Sequence, residues 1–134
     1  MKIAVRYYSR SGNTRLIAEE IAKCAKTDAL SITNPKSKIN TSVDLLFIGG
    51  AVYAYGIDKE LKKFLLELDK ENVKKAVVFS SSFVSKHAVK LIKNILSSKN
   101  IDVLEEYIYK RGKIKDEDIK DITDKTNEII RKCR

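Results

Sequence analysis

The residues with the most chemistry at close spacing are Ser9-Arg10-Ser11-Gly12-Asn13-Thr14. They follow an apolar run, Ile3 to Tyr8, and lead into a helical pattern from Thr14 to Lys26. Three hydroxyls and a glycine at a strand-to-helix turn form an anion cradle. A helix start presents unpaired N–H groups and a partial positive charge. Gly12 lets the backbone approach a ligand closely, and Ser9, Ser11 and Thr14 are hydroxyl donors for phosphate oxygens. Ser, Asn and Thr are also the ordinary residues of a helix cap, and this segment alone does not separate the two readings.

Two further segments stand at matching places in the chain. One is Gly49-Gly50-Ala51-Val52-Tyr53-Ala54-Tyr55-Gly56, the other Ser80-Ser81-Ser82-Phe83-Val84-Ser85. Each follows an apolar run, and in an open parallel sheet ligands bind beyond the carboxyl ends of the strands. Hydroxyls on one loop and aromatic rings on the others suit a planar aromatic phosphate ester. Stacking on tyrosine contributes about 0.5–1.5 kcal/mol beyond area burial. Tyr53 and Tyr55 serve equally as packing residues at a sheet edge, and Tyr7 and Tyr8 read as sheet residues, with Tyr8 close to the first loop.

The elements that position these loops alternate. Strands are expected at Lys2–Tyr8, Ala29–Ile32, Asp44–Gly49, Ala76–Ser80 and Val103–Tyr109, and helices at Thr14–Lys26, Lys59–Leu68, Lys86–Ser98 and Glu117–Lys132. Leu45-Leu46-Phe47-Ile48 and Ala76-Val77-Val78-Phe79 are continuously apolar, as strands covered on both faces are. Right-handed crossovers then give a doubly wound α/β sheet. The last helix is marked by Asp116, Glu117 and Asp118 at its start and by Arg131, Lys132 and Arg134 at its end. Both signs match the helix dipole. Ile119, Ile122, Ile129 and Ile130 supply its inner face, and Thr33–Ser42, with Pro35, is a polar connection.

The 134 residues, 43% hydrophobic and 34% charged, fit one globular domain spanning 1–134. No apolar run is long enough to cross a membrane, and Met1-Lys2-Ile3-Ala4-Val5-Arg6 breaks with charge too soon for a signal peptide, so a cytoplasmic chain is expected. Cys24 and Cys133 make no disulfide framework. Cys24 shares a helix face with Ile17 and Ile21 and is expected to be a buried thiol, whereas Cys133 reads as a tail thiol. The single histidine, His87, is expected at the surface, and no metal site is legible. The net charge is +9, but the lysines are spread over every helix with no dense basic tract, so nucleic acid is not an expected partner.

The chain resembles a short-chain flavodoxin or a close flavodoxin-like relative over nearly its full length. The family's phosphate loop, Ser/Thr-x-Ser/Thr-Gly-Asn-Thr, is matched at each defined position by Ser9 to Thr14. Asp44 to Tyr53 resembles the third strand and flavin-flanking loop, and Lys59 to Leu65 the helix after it. The resemblance implies a five-stranded parallel sheet in the order 2-1-3-4-5 with helices on both faces, and it implies FMN. It assigns Ser9, Ser11, Asn13 and Thr14, with the amides of Arg10 and Gly12, to the phosphate. Ala51, Val52 and Tyr53 would line one side of the flavin ring, and Ser81, Ser82 and Phe83 the other. It further implies that the Gly50 or Tyr53-Ala54 peptide flips to bond the reduced flavin. The implied function is electron transfer between protein partners. A flavin-dependent NAD(P)H:quinone-type reductase and a flavin-free interaction module are the alternatives.

The chain departs from the family in three ways. It has no tryptophan for the second loop, its third loop lacks the acidic-aromatic pattern common in flavodoxins, and it is basic where flavodoxins are acidic. Arg10 and Arg15 flank the phosphate loop, and a unit charge ~10 Å from the ring contributes roughly 0.4 kcal/mol in a water-like dielectric. The expectation is a less negative potential for full reduction, and an acidic redox protein as the better partner. Lysine-biased composition without bearing on partners is the competing account. No dinucleotide fingerprint, Gly-Lys-Ser/Thr loop or histidine-based hydrolase constellation is present. Arg6, in the first strand, needs a partner, and Glu19 or Glu20 is the expectation.

Overall fold

The structure, a computed structural model, describes residues 1–53, 56–82 and 85–134, without the side chains of 52 and 53. The elements are β1 (Ile3–Tyr7), α1 (Asn13–Ala25), β2 (Ala29–Ser31), β3 (Val43–Gly49), β4 (Val52–Tyr53), β5 (Gly56–Ile57), α2 (Lys59–Leu66), β6 (Val73–Ser82), α3 (His87–Ser98), β7 (Asp102–Arg111) and α4 (Asp116–Cys133). Five strands form a parallel sheet in the order β2-β1-β3-β6-β7. That is the expected 2-1-3-4-5 order once the small antiparallel ribbon β4-β5, within the second loop, is counted separately.

Alternation along each strand divides the core. Val5, Tyr7, Leu45, Phe47, Val77 and Phe79 pack with Ile17 and Ile21 of α1 and Ile122, Ile129 and Ile130 of α4. Ala4, Leu46, Ile48, Ala76 and Val78 pack on the other side with Leu61 and Leu65 of α2 and Val89, Ile92 and Leu96 of α3. All these strand residues are at most 9% exposed, which is why the central strands read as unbroken apolar runs.

Several boundaries move. β6 begins at Val73 rather than Ala76, because Val73 is buried opposite Val43 although Lys74 and Lys75 after it are exposed. α2 stops at Leu66, with Leu68 still buried beyond it. The polar connection holds a short 3₁₀ turn, Pro35–Ser37, capped by Asn34.

Arg6 corrects an expectation. It shares the strand face of Ala4, away from α1, so Glu19 and Glu20 are on the wrong side of the sheet. Its guanidinium donates to the carbonyls of Ser37 (2.7 Å) and Val5 (3.0 Å). Glu20 accepts instead from Thr123 of α4 at 3.0 Å, and Glu19 pairs with Arg15. Cys24 is half-buried rather than buried, and its pKa is raised, by burial first. Cys133 is no loose tail, because it packs against the α1–α4 core. His87 is exposed at the start of α3.

Candidate functional site

β1, β3 and β6 run parallel in the middle of the sheet, so the three loops that follow them gather at one end of it. β1 ends at Tyr7, and the Tyr8 amide donates to the Gly49 carbonyl at 3.1 Å. The next residues turn away from the sheet into α1. Gly12 occupies the left-handed region at φ 94°, and among the described residues nothing lies within 4 Å of where its Cβ would be. A glycine is favoured by that backbone, and no described residue crowds the space before the helix.

Within the turn, the Gly12 amide donates to Ser9 Oγ at 3.0 Å, and the Asn13 amide reaches Ser11 Oγ at 3.5 Å. Ser9 is half-buried and Ser11 exposed. Among the described residues the N-cap of α1 makes no side-chain capping bond, and the first turn of the helix holds no carboxylate. The start of this 13-residue helix is therefore an electropositive end with donors to spare.

Thr14, in the first turn, is 1% exposed, and its hydroxyl lies 3.0 Å from that of Ser81, itself 4% exposed at the end of β6. The first and third loops are thus joined beneath the surface. Ser82 follows, half-buried, and its carbonyl accepts from Tyr109 Oη at 2.9 Å and from the Gly112 amide at 3.2 Å.

The first and second loops are joined by an ion pair. Arg10 donates to the Asp58 carboxylate, whose other oxygen accepts the Glu60 amide at 2.8 Å and caps α2. Arg10 is exposed, whereas Asp58 is almost closed off from water under a thin cover. Burial acts to raise the Asp58 pKa. The Glu60 amide, the bond and charge of Arg10 and the charge of Lys59 together outweigh it, so the carboxyl lies below its ordinary value. Arg15, the second arginine near the loop, pairs with Glu19 at 2.7 Å. Both arginines expected to make the loop basic are therefore matched by carboxylates.

Ala51 follows β3 and is half-buried; Val52 and Tyr53 form β4, opposite Ile57 and Gly56. Tyr55 and Phe83 lie outside the described residues, as does Ala54 of the proposed peptide flip. Gly50 donates its amide to the Phe79 carbonyl at 3.3 Å, and its Cα faces Leu61 so closely that a Cβ would lie 2.3 Å from Cδ2. Beside the Arg10–Asp58 pair lies a hollow of about 830 Å³ whose apolar wall is Tyr8, Ile57, Leu91 and Ile95. A smaller hollow of about 300 Å³, bordered by Met1, Asp44 and Arg134, lies far from the three loops in the chain's layout.

Asp58 and Tyr109 were not singled out from the sequence. An Asp before Lys59-Glu60-Leu61 is a legible cap, but nothing local shows its pairing with Arg10. Among the described residues no group of three or more potential metal ligands occurs, and no helix is long and apolar enough to cross a membrane.

The Flavodoxin domain family matches residues 4–120. An uncharacterised protein of Methanocaldococcus jannaschii is 32% identical over 114 residues, which cover 82% of this chain and 75% of that protein. A flavodoxin from the domain Archaea superposes with a TM-score of 0.85 at 22% identity, over 99% of both chains. Oxidised Flavodoxin 1 from Bacillus cereus gives 0.81 at 20% identity over 98% of both chains. A short-chain flavodoxin associated with a non-canonical PDU bacterial microcompartment gives 0.75 at 14% over the whole of both. At these identities the solved structures speak to the fold.

Proposed function

Because the chain belongs to the flavodoxin family, we propose that it binds FMN at the three-loop edge and carries electrons between protein partners. The observation that supports this reading is the start of α1: a helix end that, among the described residues, has no side-chain cap, no carboxylate in its first turn and nothing crowding Gly12 before it, flanked by three hydroxyls. A dianionic phosphate is the chemistry such an end accepts best.

FMN, when bound, supplies reversible one- and two-electron redox chemistry. The chain's part is to hold and orient it. Ser9 and Ser11 bring hydroxyls to the phosphate, with Asn13 and the amides of Arg10 and Gly12. Thr14 contributes through a relay. Either hydroxyl of the Thr14–Ser81 contact can donate, and in the arrangement where Ser81 donates the Thr14 proton is left for the phosphate. Ala51, Val52 and Tyr53 on one side, and Ser81, Ser82 and Phe83 on the other, are the residues proposed to flank the ring. Arg10 and Arg15 are matched by Asp58 and Glu19. A less negative potential for full reduction therefore depends on the lysines around the site. Redox titration giving a very low second potential would remove that part of the reading.

The test is a titration of the purified chain with FMN and with riboflavin, followed by flavin fluorescence. Strong quenching by FMN with much weaker riboflavin binding supports a phosphate-anchored flavin. In Ser9→Ala with Ser11→Ala, FMN affinity is expected to fall while riboflavin affinity is kept. Equal loss for both would sink the phosphate assignment. No response to either flavin would leave a family member that works as an interaction module.

A further inference from the structure

The net charge of +9 is not evenly matched by partners. On α4, Lys125 pairs with Asp121 and Lys132 with Glu128 and Glu106, while Lys110 of β7 sits between Asp118 and Asp121. The segment 85–99 is different. It holds four lysines, Lys86, Lys90, Lys93 and Lys99, and no carboxylate. Lys86, just before α3, and Lys90 and Lys93 within it recur at helical spacing and share one side, flanking the buried stripe of Val89, Ile92 and Leu96. Among the described residues none of the three is in an ion pair.

Two of them are held in place by aromatic rings of β7. Lys86 Nζ donates to Tyr107 Oη at 3.0 Å and lies 5.3 Å from the centre of that ring and 5.8 Å from that of Tyr109. Lys93 Nζ lies 5.1 Å from the Tyr107 ring and donates to the Glu105 carbonyl at 2.9 Å. The Tyr107 bond, above all, holds the Lys86 ammonium above its ordinary pKa. Other charged groups bear on this face. Glu105 is exposed on β7, and Lys125 of α4 acts on Tyr107 from the far side. Tyr109 then continues the row to the site, through its hydroxyl on the Ser82 carbonyl.

We propose that the Lys86–Lys90–Lys93 face of α3, with Tyr107 and Tyr109 beneath it, is the docking surface for a redox protein that presents a cluster of carboxylates. That the partner is a redox protein rests on the function proposed above; that it is acidic rests on the charge of this face. The lysine row spans about 10 Å at 1.5 Å per residue. This suits a compact patch of two to four carboxylates. A nucleic acid fits less well. Single-strand binding uses open aromatic faces for base stacking, and here Lys86 and Lys93 stand over the Tyr107 ring. Preset ammonium positions also lower the ordering cost of docking, and a predominantly positive face next to the site steers encounter.

The experiment is an amide NMR titration of the full chain, run with and without FMN. The probes are a strongly acidic plant-type ferredoxin, the basic cytochrome c and a mixed-sequence 20-mer of single-stranded DNA. The proposal expects shifts confined to α3, β7 and the Ser82 end of β6 with the ferredoxin, lost in ~0.5 M salt, and weak or absent shifts with cytochrome c. Lys86→Gln/Lys90→Gln/Lys93→Gln should weaken ferredoxin binding at least ~10-fold. The exposed single variant Lys90→Glu should weaken it ~3-fold or more, so the result does not hang on the triple variant folding. Shifts elsewhere, unchanged affinity in Lys90→Glu, absence of ferredoxin binding, or tighter binding of DNA on the same face would each overturn the proposal. The binding arm needs no flavin. Failure of FMN to bind therefore bears on the proposed function, while failure of the ferredoxin arm bears on this surface.

Discussion

The hydroxyls of Thr14 and Ser81 lie 3.0 Å apart, both buried, and tie the first turn of α1 to the end of β6 across 67 residues of sequence. Removing one partner leaves the other buried and unpaired, at a cost of about 1–3 kcal/mol. Thr14→Val should lower stability by that amount and weaken FMN about tenfold or more relative to riboflavin. In a double-mutant cycle with Ser81→Ala the two changes should couple by about 0.5–3 kcal/mol. Chemical denaturation of the four proteins, with flavin titration alongside, measures both. Additive effects would mean that the two hydroxyls do not act together.

Asp58→Asn isolates the charge of the Arg10 pair, since Asn remains a good helix cap. The loss at neutral pH should be modest, about 0.5–1 kcal/mol, because Arg10 is solvent-exposed. Its pH course is more telling. The folded-state pKa of Asp58 is lowered, so its stabilisation is present above the unfolded value of about 3.9 and is lost as pH falls through the folded value. The stability gap between the native chain and Asp58→Asn should close with acidification in urea melts run from pH 7 to pH 2. A gap that persisted at the acid end would place the effect in packing and not in the charge.

What the sequence discloses divides by distance along the chain. Ser9 to Thr14 could be proposed as an anion site because their hydroxyls and glycine are contiguous, and the structure puts them at the turn that starts α1. The doubly wound sheet followed from alternating elements and the unbroken apolar runs of β3 and β6, whereas its strand order came from the family resemblance. The Arg10–Asp58, Thr14–Ser81 and Lys86–Tyr107 contacts were not legible, since their partners lie 48, 67 and 21 residues apart. Arg6 shows the limit plainly. A charged residue in a central strand announces that it needs a partner, but the face it takes, set by register, excludes the helix carboxylates and leaves the Ser37 carbonyl. The β4–β5 ribbon escaped because a two-residue strand has no period to read.

Gly49 lies where β3 presses against β6. An added Cβ would sit 2.3 Å from the Phe79 ring and 2.6 Å from its backbone oxygen. The ring is fully buried and the oxygen belongs to a central strand, so neither gives way easily. Gly49→Ala should cost about 3 kcal/mol by overpacking, visible as a lower melting temperature. A stability equal to the native chain would show that the sheet relaxes there.

Thr126 is the opposite case. It is fully buried in α4, and its hydroxyl has no partner among the described residues. Thr126→Val keeps the shape and removes the unpaired group, so a gain of about 1 kcal/mol is expected in thermal or urea unfolding. A loss of stability would reveal a bond that the hydroxyl makes.

The sheet order β2-β1-β3-β6-β7 also bears on how a ribosome can make this protein. Once β1 and β2 have emerged, each later strand of the sheet joins the same growing edge, and none has to be threaded between two already paired. The cost falls on the other side. Ile17 and Ile21 of α1 appear early, and β1 and β3 can cover part of them soon after, but the rest of their cover, Ile122, Ile129 and Ile130 of α4, is translated late. The nascent chain therefore carries a half-covered apolar helix until α4 emerges, the kind of surface that chaperones bind and that aggregates when translation stalls.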